Sequence, residues 1–461
     1  MLDLGLGNSI VRFIAKYRAN NDKENEQKFF GVVSLYYLAV ALIAVIAGIV
    51  LIVVFPFFFS TGLTPEETSL SQKLLSFTVA NIAVTLLTAP YAKALIAYEK
   101  FALSRLASIF QILLKVGLTI LCLKMNMGSL GIVIVHLLLT ILLRSFFVFY
   151  MVGVLKLRSS LKGVTAQFVK GVVAYSSFVL LQMVATQINA SVDQILIGAL
   201  VANSSIILGI YGLGAQVVSY YQSMGVAFSG VIMPGVVKLC EQNREPRVLT
   251  DEMVRIGRIV LMTLGIIFVV FLVFGKQFVI LWTNEANQDA YYVAAILMSA
   301  YFPIIPQAIG SQMLWATNMH KEISIIKLLI VLSNIGLTVL LIRWNPLIGG
   351  SLGTCISLLL GDCVATDIVL AKKLGISMKR LYLESMKGII PALAVTCGAG
   401  FAFRLLGLNA WWGFLINVAF MVLVYFVCMF LFGMNKYEKG LLKSTVSKVI
   451  HRKRKGSLEN G

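Results

Sequence analysis

The chain of 461 residues carries little charge for its length. Asp, Glu, Lys and Arg make up 13% of it, whereas hydrophobic residues make up 59%. Soluble domains carry about 25% charged residues. The low charge therefore excludes an ordinary soluble domain and predicts a membrane protein.

Residues that could hold a metal or a nucleotide are also scarce. The six cysteines show no Cys-x-x-Cys spacing, and the three histidines, His136, His320 and His451, lie far apart in the sequence. Neither a disulfide framework nor a zinc site is indicated. No GxxxxGK[ST] phosphate loop is present, so ATP-driven transport by this chain alone is not supported. We predict no cofactor and leave a coupling ion, Na⁺ or H⁺, unassigned.

Apolar runs long enough to cross a bilayer dominate the sequence. A spanning helix needs about 20 apolar residues, and this criterion predicts an all-α polytopic protein with twelve full spans after an N-terminal half-helix. The connections are too short for a soluble catalytic domain. The predicted spans are 30–59, 74–98, 101–123, 130–155, 171–201, 206–237, 259–282, 290–316, 323–342, 348–371, 388–406 and 410–434.

The basic residues behind the net charge of +19 are distributed in agreement with the predicted topology. If residues 16–28 are cytoplasmic and the sides alternate, most Lys and Arg fall in cytoplasmic loops and in the tail, as the positive-inside rule requires. This pattern predicts a multi-pass protein of the bacterial inner membrane with a cytoplasmic C-terminal tail. Membrane lipids are the expected partner of the basic tail, and nucleic acid is not. The outer loops hold only Lys73, Lys124, Lys276, Arg343 and Arg404.

Two stretches of the sequence resemble each other. Residues 115–121 (KVGLTIL) correspond to residues 334–340 (NIGLTVL), and an even number of predicted spans separates them. The pattern predicts two lobes of the same orientation with the substrate between them: residues 1–160 (a half-helix and four spans), 161–375 (six spans), two accessory spans in 376–434 and a basic tail in 435–461. Because the first lobe lacks a counterpart to one helix and a half, we expect further coding sequence before residue 1.

Short motifs carry a resemblance to a transporter family. Residues 2–13 (LDLGLGNSIVRF), residues 192–198 (VDQILIG) and Pro234 resemble the Wzx-type flippases, the polysaccharide-biosynthesis branch of the MOP superfamily. The resemblance implies two six-helix lobes and alternating access, with a polyprenyl-pyrophosphate-linked oligosaccharide as the cargo. It also implies partners from the same pathway, such as glycosyltransferases or a polymerase. The apparent lack of the first helix departs from the family.

Four basic residues lie inside the predicted spans of the first lobe. Arg144 and Lys115 are deep in their spans, whereas Arg12 and Lys93 are nearer the cytoplasmic end. Ionisable groups at membrane depth are costly and mark functional sites, and guanidinium and ammonium groups suit a pyrophosphate. We predict that these four residues line a substrate cavity. For Arg12 and Lys93, snorkelling to the interface is the alternative.

The second lobe carries polar and acidic residues within its spans. Tyr175, Gln182, Thr186, Asn189 and Asp193 recur at helical spacing and predict one polar face. That face forms either a cavity wall or interhelical hydrogen bonds.

Asp193 in turn is either a gating or coupling group or a structural cap. Gln307 beside Pro303 and Pro306 makes a similar, shorter polar patch. These two prolines, with Pro90 in the first lobe, are the predicted hinges.

Two other function classes remain open on the sequence. A multidrug extruder of the MATE type, coupled to a cation gradient, needs an intramembrane carboxylate in a lobe cavity, whereas the first lobe offers cations. A membrane polysaccharide polymerase or acyltransferase is the enzyme alternative. Such an enzyme would be expected to carry a large outer loop or a His/Asp cluster, and the sequence has neither. We therefore predict a flippase and not an enzyme.

Overall fold

A computed structural model of the chain describes residues 6–59, 63–165, 184–202, 204–242, 245–307, 309–317, 319–407 and 410–440. Within these ranges the secondary structure is helical throughout, with no strand. The chain divides into two compact units. Unit 1 comprises 1–188 with 198–205, and unit 2 comprises 189–197 with 206–461. The predicted division at residues 160, 375 and 434 stays a prediction.

Unit 1 contains five α-helices that run in sequence order through its described part. The fifth helix continues into a π-helical turn at Tyr150–Val154. The helices are α1 (Leu6–Ala19), α2 (Lys23–Phe58), α3 (Pro65–Ala97), α4 (Phe101–Lys124) and α5 (Gly128–Phe149).

Unit 2 takes most of the helix at 184–200, labelled α6, and all the helices that follow. Two 3₁₀ turns lie at Glu285–Asn287 and Phe302–Gln307, and two π-helical turns lie at Leu359–Ala365 and Met429–Gly433. The helices are α7 (Ser205–Gln242), α8 (Pro246–Trp282), α9 (Ala290–Tyr301), α10 (Gly310–Ala316), α11 (His320–Ile342), α12 (Pro346–Leu358), α13 (Thr366–Leu374), α14 (Met378–Met386), α15 (Ile389–Arg404) and α16 (Trp411–Cys428).

Polar caps explain why several helices begin where they do. The Asp22 side chain accepts a hydrogen bond from the Asn25 backbone N–H at the start of α2. Hydrogen bonds from the side chain and the backbone of Asn25 hold the pKa of the Asp22 carboxyl below its usual value. Thr64 and Glu67 form a reciprocal capping box ahead of α3. These polar first turns extend the helices beyond the apolar runs from which the spans were predicted.

Length and hydropathy confirm a polytopic membrane protein. Among the described residues, nine helices are long and apolar enough to cross a membrane, or ten if the bent pair α14 and α15 counts as one span. The predicted span 171–201 lies partly outside the described residues. Cys122 is the one buried residue in α4, and many apolar side chains of this helix are exposed, as expected in lipid.

Each unit has its own apolar core. In unit 1, Ile14 of α1, Phe29 and Phe30 of α2 and Leu86 of α3 are almost fully buried and belong to one cluster. In unit 2, α11 and α12 pack closely because a glycine faces the neighbouring helix. A Cβ on Gly353 would lie 2.3 Å from the Thr338 hydroxyl, so only glycine permits this approach.

Arg258 of α8 fixes the last helices of unit 2. Its guanidinium, with the side chain 7% exposed, makes a bidentate ion pair with Glu438 at 2.6 and 3.1 Å. The same group donates to the carbonyls of Glu384 (2.8 Å), Lys387 (2.9 Å) and Gly433 (2.6 Å). All five guanidinium N–H groups are therefore satisfied. Arg258 of α8 thus bonds to the end of α14 and to the end of the π-helical turn at Met429–Gly433.

Candidate functional site

A polar cavity of about 470 Å³ lies within unit 1. Helices α3, α4 and α5 supply its walls, and the described lining contains two cations and no acidic residue. The lining residues are Asn81, Ile82, Thr85, Ala89, Ala92, Lys93, Gln111, His136, Thr140, Leu143 and Arg144.

Two hydrogen bonds, one between α3 and α5 and one within α5, hold the polar lining in place. The Asn81 amide of α3 donates to the Thr140 hydroxyl of α5 at 3.0 Å. Thr140 in turn donates to the His136 carbonyl at 2.8 Å. Lys93 and Arg144 are half-buried, and in a region of low dielectric their charges act more strongly on an anion than they would in water. The cavity therefore presents two cationic side chains among neutral hydrogen-bonding groups.

The structure brings some of the predicted cationic residues together. Lys93 and Arg144 both line the cavity. Lys115 is not among its lining residues, but it lies close enough to the lining residue His136 for the two to interact electrostatically. Arg12 belongs to α1, but its side chain lies outside the described residues, so its part in a cavity stays a prediction.

A second polar site surrounds Asp193 in unit 2. Asp193 is 5% exposed, and its carboxylate accepts hydrogen bonds from the hydroxyls of Tyr211, Thr338 (3.1 Å) and Thr354. Asn334 joins the network, donating to Thr354 at 2.9 Å. Helices α6, α7, α11 and α12 each contribute one or two of these side chains.

The described hydrogen-bond partners of Asp193 are uncharged hydroxyl groups. A buried carboxylate is costly unless it is compensated; here the three hydroxyl hydrogen bonds stabilise it, and a proton or a small cation would stabilise it further. Oxygen ligands suit hard cations. Among the described residues no group of three or more His, Cys, Asp and Glu could hold a metal ion, so any cation here would rely on hydroxyl and amide oxygens.

The predicted polar face of α6 is only partly described. Asn189 accepts a hydrogen bond from Asn334 at 3.0 Å, which places it beside Asp193. Thr186 is exposed and belongs to unit 1. Gln182 and Tyr175 lie outside the described residues.

The predicted hinge prolines differ in their surroundings. Pro90 lies inside the uninterrupted helix α3, whereas Pro303 and Pro306 lie in the 3₁₀ turn between α9 and α10. Gln307, at the end of that turn, donates to the Asp362 carbonyl. Asp362 also forms an ion pair with Lys327 at 2.6 Å.

Sequence reasoning missed several members of these sites. Lys327 lies within the predicted span 323–342 but was not among the predicted cavity residues, and its partner Asp362 is 35 residues away. Thr338 and Thr354 bond to Asp193 across 145 and 161 residues. The repeat includes Thr338, which corresponds to Thr119 of the first copy, whereas Thr354 corresponds to Val135.

The sequence matches a known family over most of its length. The family described as "Lipid II flippase MurJ" matches residues 5–426, and no curated protein sequence matches the chain. A solved structure described as "Lipid II flippase MurJ, inward closed conformation" is similar with a TM-score of 0.69 and 19% identity, covering 93% of this chain and 88% of that one.

Two solved transporters of the MOP superfamily share the fold. An inward-facing multidrug resistance MATE family transporter of the MOP superfamily has a TM-score of 0.62 at 15% identity, covering 81% of this chain and 87% of that one. A MOP superfamily transporter from Pyrococcus furiosus, described as having a binding pocket of reverse polarity, has a TM-score of 0.55 at 16% identity, covering 83% of this chain and 85% of that one.

These matches confirm the predicted all-α fold, which the solved transporters of the MOP superfamily share. The narrower prediction was the Wzx branch, whereas the family match names MurJ. A flippase family is a family of transporters, which confirms that the protein is not an enzyme. With the match extending over residues 5–426, the chain belongs to the MurJ family of flippases for lipid-linked precursors.

Proposed function

We propose that the protein moves a polyprenyl-pyrophosphate-linked oligosaccharide from the inner to the outer leaflet of the bacterial inner membrane, for the synthesis of a cell-surface polysaccharide. The observation that carries this proposal is the cavity of unit 1, where Lys93 and Arg144 stand among neutral polar groups. Transport would proceed by alternating access, as in the family.

The chemistry of the cavity suits this cargo. The planar guanidinium of Arg144 matches two phosphate oxygens at once, and the Lys93 ammonium is a compact charge on a flexible stem. Asn81, Gln111 and Thr140 add amide and hydroxyl groups of the kind that bind sugar hydroxyls. A cationic drug would instead meet like charge, which disfavours the multidrug alternative despite the shared fold.

Lipid II is the second candidate cargo, because it is the substrate in the name of the matching family. Lipid II and lipid-linked oligosaccharides share the polyprenyl-pyrophosphate group and differ in the attached sugars. The cations of the cavity fit both cargoes. The motifs at residues 2–13 and 192–198 support the oligosaccharide as the cargo. Complementation of two different strains distinguishes between the two cargoes.

We further propose that Asp193 couples transport to an ion gradient of H⁺ or Na⁺. Its burial and its set of neutral oxygen partners support this role. Binding of a cation or proton would neutralise the carboxylate and change the free energy of the α6–α11–α12 contact. Glycosyltransferases or a polymerase of the same pathway are the proposed partners.

Complementation in cells tests the function and the cargo together. The gene is expressed in one strain that lacks its flippase for surface polysaccharide and in another that is depleted of its lipid II flippase. We expect restored surface glycan in the first strain, loss of this activity in Arg144→Ala, and retention in Lys124→Ala, since Lys124 is exposed at the end of α4. Rescue of the second strain alone would assign lipid II. Undiminished export by Arg144→Ala would exclude the cavity as the binding site.

A further inference from the structure

We propose that unit 1 binds the diphosphate at three successive depths rather than at one point. This inference rests on the proposed function and concerns the order in which the cargo meets the cations. The first site is Lys93, the second is Arg144, and the third is Lys115 together with His136. His136 is an additional binding residue at the third site.

The register of α3 and α5 separates the first two sites. The Asn81–Thr140 hydrogen bond places these two residues at one level. Helices α3 and α5 run in the same direction because α4 reverses the chain between them. A helix rises about 1.5 Å per residue, so Arg144 lies about 6 Å beyond this level and Lys93 about 18 Å beyond it. The two cations are therefore about 12 Å apart along the helix axes.

The register of α4 against α5 places the third site on the opposite side of the Asn81–Thr140 level from Arg144 and Lys93. A Cβ on Gly131 would lie 3.0 Å from the Cys122 Cβ, and Leu114 packs against the cluster of Cys122, Val135 and Leu139. In an antiparallel pair with these contacts, Lys115 lies opposite residue 138, next to His136 with which it interacts. Lys115 is thus about 9 Å from the level of Arg144.

A neutral polar band separates the cationic levels. Asn81, Thr140 and Gln111 lie between Lys115 and Arg144, and Thr85 lies at the level of Arg144 on α3. The hydrogen bonds of Asn81 and Thr140 hold the band rigid. The described lining has no acidic side chain along this path, so nothing there repels a diphosphate as it passes.

The spacing of the cations has a kinetic consequence. An anion held by all the cations at one point would be bound tightly and released slowly, whereas passage requires sites that are individually weak and near enough for transfer. Under the predicted topology, Lys93 lies nearest the cytoplasmic end and Lys115 nearest the outer end. Lys93 would therefore load the diphosphate, Arg144 would carry it across the middle, and Lys115 with His136 would receive it.

Flipping kinetics of the full-length protein in vesicles test this order. The probe is a fluorescent polyprenyl-diphosphate oligosaccharide, and the initial rate is measured against its concentration in the membrane. We expect Lys93→Gln to raise the half-saturating concentration about tenfold with a nearly unchanged maximal rate. Arg144→Gln, Lys115→Gln and His136→Gln should mainly lower the maximal rate, and Arg144→Lys should recover part of it.

The controls separate this inference from the proposed function. Lys124→Gln should behave as the wild type, and each variant's thermal unfolding in detergent should match that of the wild type, so that a folding defect is recognised. If the wild-type protein does not move the probe, the proposed function fails. If the wild type moves it but Lys93→Gln and Arg144→Gln change both kinetic constants by the same factor, the cations form one site and the three-site order is wrong.

Discussion

The surroundings of Asp193 could be predicted from the sequence only in part. Its place on a polar face with Asn189 followed from helical spacing alone, because the period of a helix is local information. Its acceptance of three hydroxyl donors did not follow, since Thr338 and Thr354 lie on other helices. Contacts that span more than a hundred residues depend on the packing of the helices.

Replacement of Asp193 by Asn tests the proposed coupling role. The side chain keeps its size but loses the charge that a proton or cation would neutralise, so we expect flipping driven by an ion gradient to fall at least about tenfold. The matched control is Asp289→Asn, which removes an acid next to α9 outside the network. Gradient-driven flipping by Asp193→Asn at the wild-type rate would exclude coupling through this residue.

The buried Arg258 gives a prediction about stability. Removing one partner of a buried ion pair leaves a charge without compensation and costs about 3–5 kcal/mol. We expect that loss in the free energy of unfolding for Arg258→Met and for Glu438→Gln, measured by denaturant titration in detergent. Arg255→Met is the control, because the exposed pair of Arg255 with Glu252 should be worth less than about 1 kcal/mol. Equal stability of all three variants would contradict the anchoring role of Arg258.

At the scale of elements, the apolar spans could be predicted and the irregular turns within them only in part. Pro303 and Pro306 indicated a break, and the structure has a 3₁₀ turn there. The π turn at Leu359–Ala365 had no such signal, because it depends on packing against α11. Gly361 lies so close to Ile330 that an added Cβ would overlap that side chain, at 2.0 Å.

The close contact of α11 and α12 is testable with a matched pair of glycines. Gly353→Ala would place a methyl group 2.3 Å from the Thr338 hydroxyl, whereas a methyl group added to Gly336 on α11 would have no neighbouring atom within 4 Å. Overpacking costs about 1–3 kcal/mol, so Gly353→Ala should lower the unfolding midpoint in detergent. Gly336→Ala should leave it unchanged or raise it. A midpoint for Gly353→Ala equal to that of the wild type would show that the two helices separate easily.

At the scale of the whole molecule, composition and hydropathy were enough to predict the polytopic class. The class of transporter, a flippase, followed from a few short motifs. The branch did not, because cargo specificity depends on cavity residues supplied by several helices. The cavity itself could be predicted in outline from Lys93 and Arg144, whereas Asn81, Gln111 and His136 were not selected, because neutral polar residues in a span are too common to mark a site.

The predicted topology is a further property of the whole chain. Basic loops should remain in the cytoplasm, so a reporter fused after residue 440 should be active only as a cytoplasmic reporter. A cysteine at Asn126, in the turn after α4, should react with a membrane-impermeant reagent added outside the cell, in a variant without the six native cysteines. Labelling of residue 126 only after the membrane is opened would reverse the orientation.

The central claim is that this chain by itself moves polyprenyl-diphosphate-linked saccharides across a bilayer. The most direct measurement uses the purified protein in vesicles that carry a fluorescent cargo and an H⁺ or Na⁺ gradient, with an impermeant quencher added outside. We predict that cargo from the inner leaflet becomes accessible to the quencher in vesicles with the wild-type protein, and that the double variant Lys93→Gln/Arg144→Gln behaves as empty vesicles do. Equal accessibility in wild-type, double-variant and empty vesicles would contradict the account.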